Sequence, residues 1–224
     1  MDSEKLAKIK TDIKKSPDNP ELLLELAHHY ILDKQPQRAL EVLKSAYKQI
    51  PESAALAATI GNIAISSGET DTALYYFSIA IGINPAALAC HHNLGLIYMS
   101  QNDYEKAQES FTSILKYEPE NASVHNDLGV VLSCQGQDTE AIKSFQQSLR
   151  FDAHYEKAFV NCAELMFQLK QHKAGYQLAS EFESNNPENI AAAKSWQKTF
   201  RQHETVAKDT STKPTCVSFK LSAD

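Results

Sequence analysis

The residues able to do chemistry are few and scattered. Glu25 and His28 stand three apart, the ExxH spacing by which one helix offers two ligands to a di-iron centre. Such centres need a second ExxH and further carboxylates, and the sequence has no second ExxH, so the single match reads as chance. His28 and His29, and His91 and His92, are adjacent pairs. Neighbours on a helix point in different directions, so neither pair chelates readily, and all four read as packing or surface histidines. Cys90, Cys134, Cys162 and Cys216 lie far apart without a CxxC spacing. That usage suits reduced thiols, with the first three acting as small hydrophobes on helices. No GxxxxGK, GxSxG, HExxH or GxGxxG occurs, and no acid–base pair presents itself. The expectation is a non-enzyme with no cofactor and no metal site.

Composition narrows the class further. Of 224 residues, 42% are apolar and 22% charged, which is enough for a core. The net charge of −6 gives no footprint for a phosphate backbone, so nucleic acid is not an expected partner. No run of eighteen apolar residues occurs, so no transmembrane segment is expected. The first residues, MDSEKLAKIK, lack an apolar stretch of the secretory kind. With the cysteine usage, this points to a cytoplasmic protein, for which the Asn121-Ala122-Ser123 sequon is void.

The elements that must position any site are set by a repeat. Pro17, Pro51, Pro85, Pro119 and Pro187 lie on one lattice of 34 residues, whose vacant node holds Ala153. Ala39, Ala73, Ala107 and Ala141, followed by Gly175, form a second series, and Ala27, Gly61, Gly95, Gly129 and Ala163 a third. Three series with one period mean tandem copies of one supersecondary unit. Within a copy the apolar spacing is helical: Leu94 and Tyr98 are four apart, and after Gln101-Asn102-Asp103 the pattern restarts at Ala107, Phe111 and Ile114. Each copy is therefore two short helices joined by a tight turn. The turn needs one left-handed residue, supplied by Gly68, Asn102 and Gly136, and at some strain by Lys34 and Lys170.

These residues resemble the tetratricopeptide repeat family, whose pattern is a Leu-Gly pair, a Tyr, an Ala, an aromatic and a closing Pro. Leu94, Gly95, Tyr98, Ala107, Phe111 and Pro119 match it in full. The resemblance implies five repeats, 20–53, 54–87, 88–121, 122–155 and 156–189. In the first, Leu43 replaces the aromatic. In the fifth, Ala179 and Phe182 exchange large and small positions at similar total volume. Residues 1–19 read as an N-terminal half-repeat helix and 190–203 as a capping helix. In that cap Gln197 takes the small-residue slot because nothing packs beyond it. Residues 204–224 read as a disordered tail. The implied fold is all-α: a right-handed superhelical α-solenoid of antiparallel helix pairs.

In that family the first helix of each repeat lines a concave groove in which ligands lie. Carried onto this chain, the lining includes Asn62, Asn93, Leu96, Met99, Asn126, Asp127, Val130, Asn161, Glu164 and Phe167. Asn62, Asn93, Asn126 and Asn161 fall one per repeat, and an amide both donates and accepts, so it can grip a peptide backbone whatever the side chains. The slot of Asn93 and Asn161 is similar to the asparagine ladder of O-linked N-acetylglucosamine transferases, interrupted here by Thr59 and Asp127. Asn as a tolerated polar residue on an exposed helix face is the other reading. The cations of a chaperone carboxylate clamp are missing, and Glu25, Asp127 and Glu164 make the lining mildly acidic. The implied function is a non-catalytic scaffold or adaptor holding an extended, neutral or basic peptide. The alternatives are a self-assembling scaffold, like those that coat magnetosomes or organise secretion machinery, and an accessory subunit presenting substrates to a glycosyltransferase-like enzyme. Within the tail, Cys216 to Leu221 partly alternates apolar and polar, as an extended segment with one buried face would. Folded back, the tail would sit in its own groove or a neighbour's.

Overall fold

A computed structural model describes residues 3–17, 19–188 and 190–204. Among these residues are twelve helices: α1 (Ser3–Lys15), α2 (Pro20–Leu32), α3 (Pro36–Gln49), α4 (Ala54–Ser66), α5 (Thr70–Ile83), α6 (Leu88–Ser100), α7 (Tyr104–Leu115), α8 (Ala122–Cys134), α9 (Asp138–Phe151), α10 (Glu156–Gln168), α11 (His172–Asn185) and α12 (Ala191–Glu204). No strand occurs among the described residues. The fold is an all-α helical repeat solenoid. The chain divides into two compact units, residues 1–97 and 98–224. The expected tail, 205–224, lies outside the described residues.

The turns between paired helices obey one rule. Lys34, Gly68, Asn102, Gly136 and Lys170 have φ of 55°, 76°, 59°, 74° and 58°, the left-handed conformation expected at those five positions. The first helix of each pair closes with the same two hydrogen bonds. At the α4 end, Gly68 N–H donates to the Ile65 carbonyl at 2.9 Å and Glu69 N–H to Ala64 at 2.8 Å. The long bond recurs from Gln35 to Tyr30, Asp103 to Tyr98, Gln137 to Leu132 and Gln171 to Met166, at 2.8–2.9 Å. This is the Schellman closure, which satisfies carbonyls the helix leaves orphaned. The two lysines hold the conformation against a cost of about 1–2 kcal/mol each. Three first helices are capped by side chains: Asn19 accepts from Glu21 N–H, Ser53 from Leu56 N–H and Asn121 from Val124 N–H.

The small-residue series lets helices approach. Ala39, Ala73, Ala107 and Ala141 are wholly buried, as are Phe77, Phe111 and Phe145. A Cβ added to Gly61 would stand 2.5 Å from the Phe77 ring, and one added to Gly129 would stand 2.6 Å from that of Phe145. The ring of the second helix occupies the volume that the glycine of the first leaves empty. At the end of the second unit Ala179 and Phe182 are both buried in one core with Phe159, Ala163, Ala193 and Phe200. The exchange of large and small residues is thus a repacked core, completed by Phe159 stacked on Phe182 at 4.1 Å.

Two expectations are corrected. Gln197 is half-buried rather than a solvated cap residue. Its amide reaches back to α11 and donates to the Glu183 carboxylate at 2.7 Å and to the Ser180 hydroxyl at 3.5 Å. Cys90 and Cys162 are free, buried thiols, but Cys134 is disulfide-bonded. The reading of uniformly reduced thiols does not hold for Cys134.

Candidate functional site

In the first unit, Asn62 sits two-thirds of the way along α4 and Asn93 midway along α6. The Asn93 side-chain amide donates to the Asn62 carbonyl at 2.9 Å, bridging the two helices. Asn62 is exposed and Asn93 half-buried. The bond uses one Asn93 donor and the Asn62 carbonyl, so the pair retains the Asn62 NH2 and the Asn93 carbonyl for a ligand. Thr59, which interrupts the expected ladder, spends its hydroxyl on the Ala55 carbonyl at 2.9 Å. Leu24 and Ile31 of α2 and Ile65 of α4, on the first helices of their repeats, are large apolar side chains left 37–43% exposed. Glu25 is paired with Lys5 of α1 at 3.0 Å, a partner the repeat pattern does not reveal because α1 stands outside it. That pair removes one of the three acidic charges assigned to the groove. Leu96 is half-buried.

The second unit treats its asparagines differently. Asn161 of α10 donates to the Asn126 carbonyl of α8 at 2.9 Å, and Asn126 donates to the Asp127 carboxylate at 3.2 Å. Asn126, Asp127 and Asn161 are each 0% exposed, and each has further partners. All three are therefore withdrawn from water, unlike Asn62 and Asn93. The partner of Asn93 lies 31 residues back and that of Asn161 lies 35 back. The bonds thus run diagonally between the first helices of successive repeats instead of along one slot with the 34-residue period. Val130 and Ser133 are buried on the same stretch of α8, and Met99 packs on the core cluster that contains Val130.

Glu164 and Phe167, the remaining expected lining residues, are half-buried on α10. Phe167 stands at the centre of an aromatic group, with ring centroids at 5.0 Å to His203, 5.5 Å to His172 and 6.1 Å to Trp196 and Phe200. Trp196 and Phe200 stand four apart on α12, a helical-face spacing, whereas the two histidines carry no repeat signal. A separate concavity of about 310 Å³ lies between α9 and α11, lined by Leu149, Arg150, Leu178, Glu181 and Phe182 among others.

Two described thiols and two described histidines are committed to structure. Burial pushes the Cys162 thiol up to about 12 and raises that of Cys90, so neither is a ready nucleophile. His91 and His125 bond the backbone carbonyls of Pro85 and Pro119 at 3.1 and 2.8 Å, tying each first helix to the loop before it. Among the described residues no three His, Cys, Asp or Glu side chains group to hold a metal ion. No described helix is long and apolar enough to cross a membrane.

Comparison with known proteins points the same way. A family model described as tetratricopeptide repeat matches residues 92–156. No curated protein matches the sequence. Among solved structures, the MamA protein is 26% identical, with a TM-score of 0.61, over 68% of this chain and 83% of that one. MamA from Desulfovibrio magneticus RS-1 is 15% identical with a TM-score of 0.67, covering 76% and 97% of the two chains. YrrB, described as a TPR protein with an unusual peptide-binding site, is 15% identical with a TM-score of 0.66, covering 85% and 97%. Proteins of this fold serve in general as non-catalytic modules for protein–protein interaction. The matched repeat segment, the five left-handed turns on one 34-residue lattice and these structural neighbours make the chain similar in fold to tetratricopeptide repeat proteins.

Proposed function

We propose that the protein is a non-catalytic scaffold that holds an extended peptide against the first helices of its repeats. The observation that carries this reading is the exposed Asn62–Asn93 pair, flanked by exposed apolar side chains on α2 and α4. An amide pair that bridges two helices and keeps both donors of the Asn62 amide and an acceptor matches the two kinds of hydrogen-bonding group of a peptide unit. Leu24, Ile31 and Ile65 offer contact for alternate apolar side chains of such a peptide. With Glu25 neutralised by Lys5, the chemistry favours a neutral, apolar-alternating segment over a strongly basic one. YrrB, similar in fold, is described as having a peptide-binding site, which agrees with this reading.

The test is selection from a displayed peptide library, followed by titration of a selected peptide. Asn62→Ala with Asn93→Ala should weaken binding by roughly ten- to thirtyfold, two hydrogen bonds at about 1 kcal/mol each. The helical circular dichroism should not change. A selected peptide that binds the double variant with unchanged affinity would refute the amide pair as the gripping element. Protection mapped to the concavity between α9 and α11 would place the interface there instead.

A further inference from the structure

The concavity between α9 and α11 lies within the second unit, on the second helices of its repeats. Both helices pack on α10, which separates them. The rim is polar: Gln146 and Arg150 of α9 and Glu181 and Asn185 of α11 line it, and all four are exposed. Leu149, Leu178 and Phe182 supply an apolar floor. On each helix the lining recurs at spacings of three and four, the mark of one face.

The rim side chains are unspent. Among the described residues, none of the four makes an ion pair or a side-chain hydrogen bond. Glu183 on the same helix is different, held by Gln197 at 2.7 Å and by Lys194 at 4.0 Å. A cation and an anion that share one concavity without pairing can both be given to a ligand.

The repeat sets their order along the cleft. On the 34-residue lattice Glu181 is equivalent to Gln147 and Asn185 to Phe151. Gln146 therefore stands within one residue of the level of Glu181, and Arg150 within one residue of the level of Asn185. One end of the cleft offers donors, a guanidinium and an amide NH2. The other offers acceptors, a carboxylate and an amide carbonyl. Arg150 and Glu181 are offset by three residues on this lattice, about 4.5 Å along the helix axis, with the width of the cleft added to that. A free amino acid carries its two charged groups only about 2.5 Å apart, and one added peptide unit extends the separation to about 6 Å.

We propose that this cleft binds a short zwitterionic peptide of dipeptide length with apolar side chains. Its carboxylate lies on Arg150 and Asn185, and the fork of the guanidinium suits it. Its ammonium lies on Glu181 and the Gln146 carbonyl, and its side chains cover Leu149, Leu178 and Phe182. The volume of about 310 Å³ agrees, since small-ligand sites begin at about 300 Å³. This site reads free chain ends, whereas the Asn62–Asn93 pair reads a backbone in the other unit, so neither reading depends on the other.

The test titrates leucyl-leucine into the isotope-labelled full-length protein and follows its backbone amides by NMR. Shifts should map to α9 and α11. N-acetyl-leucyl-leucine lacks the ammonium and leucyl-leucinamide lacks the carboxylate, and each should bind about five- to tenfold more weakly. In Glu181→Gln the penalty for acetylation should vanish, and in Arg150→Gln the penalty for amidation. The same spectra show that each variant is folded. No shift on α9 or α11 at millimolar leucyl-leucine overturns the proposal. So does equal binding of free and capped forms, or a penalty that survives its matching substitution. Free leucine bound as tightly as the dipeptide overturns the assigned length.

Discussion

Gly129→Ala tests the packing rule on which the whole array depends. A Cβ at this position would lie 2.6 and 2.7 Å from two carbons of the Phe145 ring. Carbon atoms prefer about 3.5–4.0 Å, so the overlap is about 1 Å. Phe145 is wholly buried in the cluster with Val130, Ala141, Cys162 and Leu165, so its ring has little room to retreat. Overpacking of this kind costs about 1–3 kcal/mol. Replacing a mid-helix glycine by alanine returns up to about 1 kcal/mol of helix propensity. The net loss should be about 1–2 kcal/mol, a fall in melting temperature of about 2–8 °C. The first repeat supplies the control, since Ala27 and Leu43 occupy these two slots there and both are buried. Phe145→Leu alone should destabilise by leaving a cavity. The double variant Gly129→Ala/Phe145→Leu should be more stable than the sum of the two single losses by about 1 kcal/mol or more. Thermal and urea melts of the four proteins close the cycle. A neutral Gly129→Ala, or strictly additive losses, would refute the idea that glycine here exists to admit the ring.

The two asparagine pairs should respond in opposite ways to the same change. Asn161→Ala strips a partner from a wholly buried amide and should cost about 1–3 kcal/mol, whereas Asn93→Ala at the exposed pair should cost under about 1 kcal/mol; urea melts distinguish them. Gln197→Leu breaks the bond to Glu183 and should lose about 1 kcal/mol in a thermal melt, while a solvated cap residue would tolerate it. Cys90 and Cys162 should resist iodoacetamide at pH 8 and react in denaturant. With its thiol near 12, Cys162 is about one part in ten thousand thiolate at that pH, and rapid native labelling, read by peptide mass, would contradict its burial.

What the sequence discloses, and what it withholds, divides along a physical line. The five left-handed turns were legible because each demands one backbone conformation at one position, and a demand repeated at period 34 leaves a mark even where lysine meets it at a cost. The Gly–Phe and Ala–Leu couples were legible for the same reason, since a local volume must be filled in every copy. The burial of Asn126, Asp127 and Asn161 was not legible. Exposure belongs to whatever lies across the groove, and the repeat says nothing of that. The histidines show how the choice of spacing decides what is seen. Read as neighbours, His91 and His92 suggest a failed chelate. Read 34 apart, His91 and His125 are one structural device, an imidazole nitrogen bonded to the carbonyl of the proline six residues earlier. At the equivalent place in the last repeat stands Phe159, stacked on Phe182. His154, five residues before it, bonds Asn186 at 2.6 Å, and Asn186 in turn donates to the Ala153 and Phe182 carbonyls. The loop is still tied down there, by different atoms. A repeat therefore preserves the mechanical requirement of each position more faithfully than the residue that meets it. The departures mark where a copy answers to something other than its neighbour: Ala for Gly, Phe for His, a buried carboxylate for an exposed threonine. Asp127 is the clearest of these, because the stacking of helices gives no reason for a buried charge at that slot.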